Sequence, residues 1–462
     1  MSSIRQIKQN LDEKLKTAPP VRLIVSSFVL VVLIGTALLI LPFSSMSGRF
    51  TVPLDALFTA TSATCVTGLS VVDTTSHWSP FGQAVILLLI QIGGLGLSTF
   101  ATGFSLLVHR RLGLREMALT GEACGGDMPD SAALLKLMLG FSLLCELTGA
   151  GLLMLRLVPI YGTRGVWPSF FVAVSAYCNA GFDIWGFIPG NSSMTAFAGD
   201  PLVCLTIDAL IATGGLGFVV VRDIYLCKIQ APLRHHGRKH LNFHSQICLR
   251  ATLCLIAAGT LGFFLLEYNR SMSGLGFFEK LNAALFQSVN TRTAGFASVD
   301  IGAQSNYAKV LSCALMFTGG CPGSTAGGVK TTTLVVILVT LGSTLRGQKE
   351  ASVLRHRFIP EVVYKSLTVM MLGLALVFAD ACAFSALNPD IPFVDLLYEA
   401  SSAFGTAGLT TGVTTRLEPI SRLITCVTMF IGRVGPLSFG LSILMRSRSD
   451  PAILPQGRML IG

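Results

Sequence analysis

The chain offers few side chains suited to reaction chemistry, but it repeats one backbone device. The stretches "CVTGL", "CNAGF", "RTAGF" and "GTAGL" set small or polar residues around a glycine: Gly68, Gly181, Gly295 and Gly408. No side chain in them could hold a metal strongly. What they can offer is main-chain oxygen. Glycine reaches backbone angles closed to other residues, so neighbouring carbonyls can turn toward an axis. A ring of carbonyls from four loops can replace the hydration shell of a monovalent cation. The candidate filter is Val66, Thr67 and Gly68; Asn179, Ala180 and Gly181; Thr293, Ala294 and Gly295; and Thr406, Ala407 and Gly408.

The spacing argues that these stretches are copies of one unit. The glycines are separated by 113, 114 and 113 residues. Ten positions earlier stand Phe58, Phe171, Leu285 and Tyr398; six earlier, Ser62, Ser175, Val289 and Ser402; one earlier, Thr67, Ala180, Ala294 and Ala407. A fixed period of this kind marks a repeat architecture. Asp73, Asp183 and Asp300 follow three of the glycines, where they would concentrate cations at the mouth of a passage or act as helix caps. The fourth copy has Val413 at the position of Asp73.

A second signature recurs further on: "QIGGLG" (91–96), "TGGLG" (213–217), "TGGCPG" (318–323) and "IGRVG" (431–435). Small residues there allow helices to pack closely. Two departures stand out. In the third copy "GGCPGSTAGGVKTTT" brings in Pro322 with Gly319, Gly320, Gly323, Gly327 and Gly328, a stretch that cannot continue an ordinary helix. It misses a nucleotide-binding Walker A loop by one residue, because Val329 separates Gly328 from Lys330. It reads as a flexible intramembrane segment beneath the carbonyl ring. In the fourth copy Arg433 replaces a glycine. A charge within a membrane helix costs roughly 3 kcal/mol on insertion scales. It therefore needs a role: a salt bridge with Glu399 or Asp380, or an electrostatic barrier or latch. Arg292, three residues before Gly295, is expected to point behind the loop and brace it. Asp208, Glu146 and Asp380 lie in apolar runs, suited to proton or sodium coupling or to hydrogen bonds in packing.

The elements that must position these residues are membrane helices. Of the 462 residues 52% are hydrophobic and 13% charged, against about 25% charged in soluble domains. Mean hydropathy is +0.67. Apolar runs such as 23–42, 202–221, 247–266 and 366–387 approach or exceed the roughly 20 residues that cross a bilayer. Each unit reads as a helix out, a short re-entrant helix of about ten residues, the glycine loop and a returning helix. Loops at membrane depth are tolerated where they are buried in protein or line a watery path. The expected fold is all-α integral membrane, with four tandem membrane–pore loop–membrane repeats around a central pseudo-fourfold ion pore. The expected segments are a tail 1–20; repeats 21–110, 111–228, 229–346 (with the interrupted segment 319–330) and 347–446; and a tail 447–462. The net charge of +10 does not imply nucleic acid: 23 of 34 Lys and Arg fall in 1–22, 110–136, 222–250, 346–365 and 446–462. The positive-inside rule makes these cytoplasmic. That gives eight spans and both termini inside. It also gives a basic face suited to anionic lipid or an acidic partner.

Four glycine-loop units of this kind resemble the Trk/Ktr/HKT superfamily of potassium transporters. The resemblance covers nearly the whole chain after the first 20 residues. Within it, the chain is similar to the KtrB-type subunits, since its first repeat begins almost at once, without the extra preceding helices of Trk-type subunits. The resemblance implies a potassium filter of backbone carbonyls, a homodimer, a location in the cell (inner) membrane, and a cytoplasmic KtrA-like nucleotide-binding regulatory ring. It also implies that the third-repeat segment is a gate, here Gly319, Gly320, Pro322, Gly323, Gly327, Gly328 and Lys330, with Arg433 as barrier or latch. K+ is the expected transported ion, with Na+ as a coupling or activating ion and no cofactor bound by the chain. A TrkH-like or HKT-like potassium/sodium transporter is the alternative within this class.

The different-class alternative, a polytopic membrane enzyme, needs a convergent set such as HExxH, paired aspartates or a Ser/His dyad, and the chain has none. The cysteines show no CxxC pair and read as small membrane hydrophobes. His240 and His244 could share a helix face, but nothing completes a zinc set.

Overall fold

The computed structural model describes residues 20–96, 131–188, 193–230, 240–348, 350–436 and 439. The tail before residue 20, the basic stretch 110–130 and the tail 447–462 lie outside the described residues.

Four units of the same build follow one another. The first runs α1 (Pro20–Ile40), α2 (Pro53–Thr64), α3 (Pro80–Leu95). The second runs α4 (Ser131–Tyr161), α5 (Val166–Tyr177), α6 (Pro201–Gly215), α7 (Phe218–Ile224). The third runs α8 (Phe243–Glu267), α9 (Phe277–Asn290), α10 (Asn306–Phe317), α11 (Thr331–Leu345). The fourth runs α12 (Pro360–Leu387), α13 (Phe393–Gly405), α14 (Pro419–Val434).

Local sequence sets the helix starts. Pro53, Pro80, Pro201, Pro360 and Pro419 each occupy the first helical turn, where the missing N–H costs nothing and φ is already helical. Ser79, Asp200 and Ser305 cap α3, α6 and α10 by accepting backbone N–H bonds, which satisfies donors that the helix leaves orphaned.

The returning helices are shorter than the hydropathy implies: α3 has 16 residues, α6 15, α10 12 and α14 16. Three of them stop at glycines in left-handed backbone, Gly96 (φ 81°), Gly217 (φ 86°) and Gly435 (φ 94°). At the second break α6 and the following helix bend by 98°. Among the described residues three segments are long and apolar enough to span a membrane, or four if the bent pair counts as one. Of the eight expected crossings, the returning ones are thus not single long helices among the described residues. Apolar composition runs on through the glycine breaks, so hydropathy cannot see them.

The units close on one another. Each long helix packs on its own short helix: α1 on α2, α4 on α5, α8 on α9, α12 on α13. Each returning helix packs on the next unit's short helix: α3 on α5, α6 on α9, α10 on α13, and α14 back on α2. The last contact completes a circle. The largest buried cluster joins the first two units to α9 around Trp78, Phe171, Trp185 and Phe286. A two-stranded hairpin, Ser352–Val353 with His356–Arg357, links α11 to α12.

Candidate functional site

The four short helices end at the glycine loops, and the loops share one backbone form. Gly68, Gly181, Gly295 and Gly408 have φ of 92°, 69°, 86° and 78°. Two residues earlier in each loop, Val66, Asn179, Thr293 and Thr406 also have positive φ, at 58°, 60°, 71° and 50°. The sequence placed these four residues in the candidate filter but not in left-handed backbone: asparagine tolerates it, whereas a β-branched residue with positive φ is a true outlier, so Val66, Thr293 and Thr406 gave no sign of that conformation.

The glycines are brought together. A Cβ added to Gly181 would lie 2.7 Å from the Ala294 carbonyl oxygen, and one added to Gly295 would lie 3.0 Å from that of Ala407. A Cβ on Gly68 would collide with the Ala180 carbonyl oxygen, and one on Gly408 with that of Thr67. Each glycine thus faces the carbonyl of the residue before the next unit's glycine, and the sequence 68, 181, 295, 408 returns to its start. Thr67, Ala180, Ala294 and Ala407 are all fully buried. The hydroxyls of Thr67, Thr293 and Thr406 and the Asn179 amide nitrogen are buried without a partner. Orphaned polar atoms of this kind need an explanation.

On one side all four glycines floor a cavity of about 890 Å³, whose walls include Asp73, Asp183 and Asp300. Asp73 caps the single turn Thr74–His77, accepting from the Ser76 N–H (2.7 Å) and hydroxyl (2.6 Å). Asp300 accepts from the Gly302 N–H (2.9 Å). The capping alternative therefore describes Asp73 while leaving it on the cavity wall. Burial, with a smaller contribution from Asp73, pushes the Asp183 carboxyl up to about 6.

On the other side lies the interrupted segment between α10 and α11. Its neck is closed by backbone bonds: Gly319 N–H to Val329 O (2.8 Å), Val329 N–H to Phe317 O (3.1 Å), Thr331 N–H to Gly320 O (3.0 Å). The Cys321 N–H reaches Gly215 O (2.9 Å), the Gly323 carbonyl accepts from Phe218 N–H (3.0 Å), and Gly328 N–H reaches Gly432 O (3.2 Å). Its tip touches the ring. The Thr325 hydroxyl bonds to Tyr177 O and to the Asn179 side-chain oxygen, both at 3.3 Å. Gly327 abuts Thr406 so closely that a Cβ would strike its hydroxyl. The expected flexible loop is thus tied by hydrogen bonds to the second and fourth units, a plug-like segment against the glycine loops.

Arg433 is half-buried and its guanidinium donates to the Thr325 carbonyl and to the carbonyls of Gly93 and Gly94. The salt-bridge alternative fails. Glu399 accepts from Thr410 and Thr414, Asp380 accepts from Thr428, and no described carboxylate pairs with Arg433. A planar guanidinium can reach several carbonyls at once, which suits a latch between the plug and the first unit. Lys330 turns back to the Ala326 carbonyl at 2.6 Å. Arg292 is buried and reaches the Gly319 carbonyl at 3.4 Å, at the start of the interrupted segment. Pro322 and Gly323 meet the break before α7, where a Cβ on Gly217 would strike the Pro322 carbonyl.

The second signature has a packing explanation. A Cβ on Gly93, Gly214 or Gly432 would collide with the carbonyl of Thr64, Tyr177 or Phe404, each four residues before its loop glycine. In the third unit the corresponding Gly319 faces the plug's own Gly327 carbonyl instead. Glu146 accepts from Gln91 (2.9 Å), in keeping with packing, whereas neither oxygen of the buried Asp208 has a partner. Among the described residues no cluster of three His, Cys, Asp or Glu could hold a metal. His244 sits 3.5 Å from the Cys248 sulfur.

A largely helical, apolar chain whose units return to their start, each loop glycine against a neighbour's carbonyl, fits the class of integral membrane transport proteins. The family comparison is specific: residues 4–452 match the TrkH family, described as cation transport protein, and the chain belongs to that family. It is 40% identical to the Ktr system potassium uptake protein B of Bacillus subtilis, over 96% of this chain and 97% of that one. It is 36% identical to the potassium/sodium uptake protein NtpJ of Enterococcus hirae, over 95% of each. Its fold is similar to that of the crystal structure of the potassium transporter TrkH from Vibrio parahaemolyticus. The TM-score is 0.69 at 17% identity, covering 91% of this chain and 85% of that one.

Proposed function

We propose that this chain is the ion-conducting membrane subunit of a potassium uptake system, with four repeats around a central pore. The observation that carries the reading is the closed ring of loop glycines, each against the carbonyl preceding the next, at the floor of a cavity with three aspartates. Main-chain oxygens at such a ring can replace the water around a dehydrated potassium ion. The aspartates raise the local cation concentration at the outer mouth. The unpartnered hydroxyls of Thr293 and Thr406, each two residues before its loop glycine, supply polar surface where an ion leaves the ring. The identity to potassium uptake proteins over nearly the full length supports the same cargo.

The plug 319–330 is the gate in this reading. Its bonds to α5, α7 and α14 block the path below the ring, and Arg433 latches it to the first unit. Gate release belongs to a KtrA-like nucleotide-binding ring docked on the basic cytoplasmic loops of a homodimer. Such an assembly sits in the cell membrane with both termini inside. Sodium acts as a coupling or activating ion. The likeness to a potassium/sodium uptake protein keeps a mixed-cation relative as the second reading. A membrane enzyme has nothing in its favour, since the family is described as cation transport protein and the similar proteins are named for cation uptake.

The test is rubidium uptake into liposomes under sodium competition, with Gly295→Ser as comparator. A serine there faces both positive φ and a Gly181 Cα at 2.7 Å from its Cβ. Loss of preference for rubidium over sodium is expected; an unaltered preference would remove the filter assignment.

A further inference from the structure

The fourth residue of each returning helix is chemically different in the four units but structurally equivalent. These residues are Gln83 in α3, Cys204 in α6, Lys309 in α10 and Arg422 in α14. Three of them, Gln83, Lys309 and Arg422, reach the side chain that stands thirteen or fourteen residues before the next unit's loop glycine. Gln83 accepts from the Trp167 indole N–H at 2.8 Å. Cys204 donates to the Phe197 carbonyl at 3.3 Å within its own unit, and the second junction is made by Asn282 of the third unit, which donates to the Ala198 carbonyl of the second at 3.3 Å. Lys309 pairs with Asp395 at 2.8 Å, and Arg422 with Asp55 at 3.1 Å. The four contacts join unit 1 to 2, 2 to 3, 3 to 4 and 4 back to 1.

We propose that these residues form a clasp belt around the ring, and that Lys309 and Arg422 are positioning residues for selectivity. The proposal rests on the filter reading. The belt is uneven in a way that matches the plug. Its two neutral clasps flank the second unit. Its two ionic clasps flank the fourth, whose loop residue Thr406 lies against Gly327 of the plug. Both ionic pairs are largely buried, with side-chain exposures of 8% and 18% for Lys309 and Asp395 and 21% and 19% for Arg422 and Asp55. Screening by water and salt is therefore weak, and removing one partner strands the other charge. Arg422 also donates to the carbonyls of Leu417 and Thr415, both at 2.9 Å, so the belt grips the segment that follows the fourth glycine. When the plug leaves, Thr406 loses its neighbour; the ionic clasps then hold that loop at the ring spacing. A ring that widens at one of four positions fits sodium and potassium more equally.

Charge reversal tests this directly. Lys309→Asp, Asp395→Lys and the double exchange are reconstituted, and rubidium uptake is measured against sodium competition. Each single variant is expected to lose preference for rubidium about tenfold, since contacting pairs couple by up to a few kcal/mol, and the exchange is expected to recover most of it. A merely structural pair would lower the amount of active protein without moving the ratio. Milder Lys309→Met and Asp395→Asn variants answer the question if a reversed charge prevents assembly; they are expected to shift the ratio in the same direction. Wild-type selectivity in the assembled single variants, or an exchange as impaired as either single, overturns the belt. Gly295→Ser runs in parallel. If it too leaves the ratio unchanged, the filter reading fails; if it alone changes the ratio, only the belt does.

Discussion

At the scale of single residues, the loops carry conformational strain where function would need fixed carbonyls. Val66, Thr293 and Thr406 hold positive φ, at about 1–3 kcal/mol each for such conformations. Their surroundings impose it: all three are buried, and the short helices behind them are packed on two neighbours. Replacing Thr406 by glycine removes that strain and also the hydroxyl that meets the plug. A small gain in thermal stability with raised resting flux is expected, read by melting in detergent and by rubidium uptake. A second residue-scale expectation concerns pH. The Asp183 carboxyl is held up to about 6, so it is charged above that pH and neutral below. Apparent affinity for rubidium should therefore weaken as external pH falls from 7 to 5. The weakening should flatten in Asp183→Asn, which is already neutral. An unchanged pH profile in that variant would remove Asp183 from the mouth.

At the scale of elements, the helix breaks do two jobs: they stop the returning helices at the ring and leave carbonyls free. The Gly93 and Gly94 carbonyls are taken by Arg433. Arg433→Ala should raise flux through the resting protein several-fold without loss of insertion. Arg433→Lys should fail to restore closure, because a single ammonium lacks the planar fork that spans separated carbonyls. Glycines inside these helices are packing sites. Gly93→Ala and Gly432→Ala each push a methyl into a backbone carbonyl and should cost about 1–3 kcal/mol, as overpacking does. Gly151→Ala, with open space around it inside α4, is the clash-free control in the same melting experiment and should hold or slightly raise stability through helix propensity. Much of this scale was legible in the sequence. The period of the four glycines and the proline-glycine segment in the third copy marked both loops, because those residue types restrict backbone directly. The helix breaks were not legible, since leucine and valine continue through Gly217. Nor was the partner of Arg433: backbone carbonyls leave no trace in side-chain identity, so Glu399 and Asp380 drew attention instead.

At the scale of the whole molecule, function depends on closure. Four units that pack 1 on 2, 2 on 3, 3 on 4 and 4 on 1 bury an extended backbone that is costly alone in a membrane, as the proposed passage requires. Repetition in the sequence pointed to this arrangement. It could not disclose the cyclic order or the uneven clasps, because those depend on which unit neighbours which. Rubidium anomalous diffraction from crystals of the protein is the most direct measurement of the central claim. The account predicts a peak on the axis between Gly68, Gly181, Gly295 and Gly408, within coordination distance of the carbonyls of Thr67, Ala180, Ala294 and Ala407. Rubidium bound elsewhere, with that axis empty at saturating ion, would contradict it.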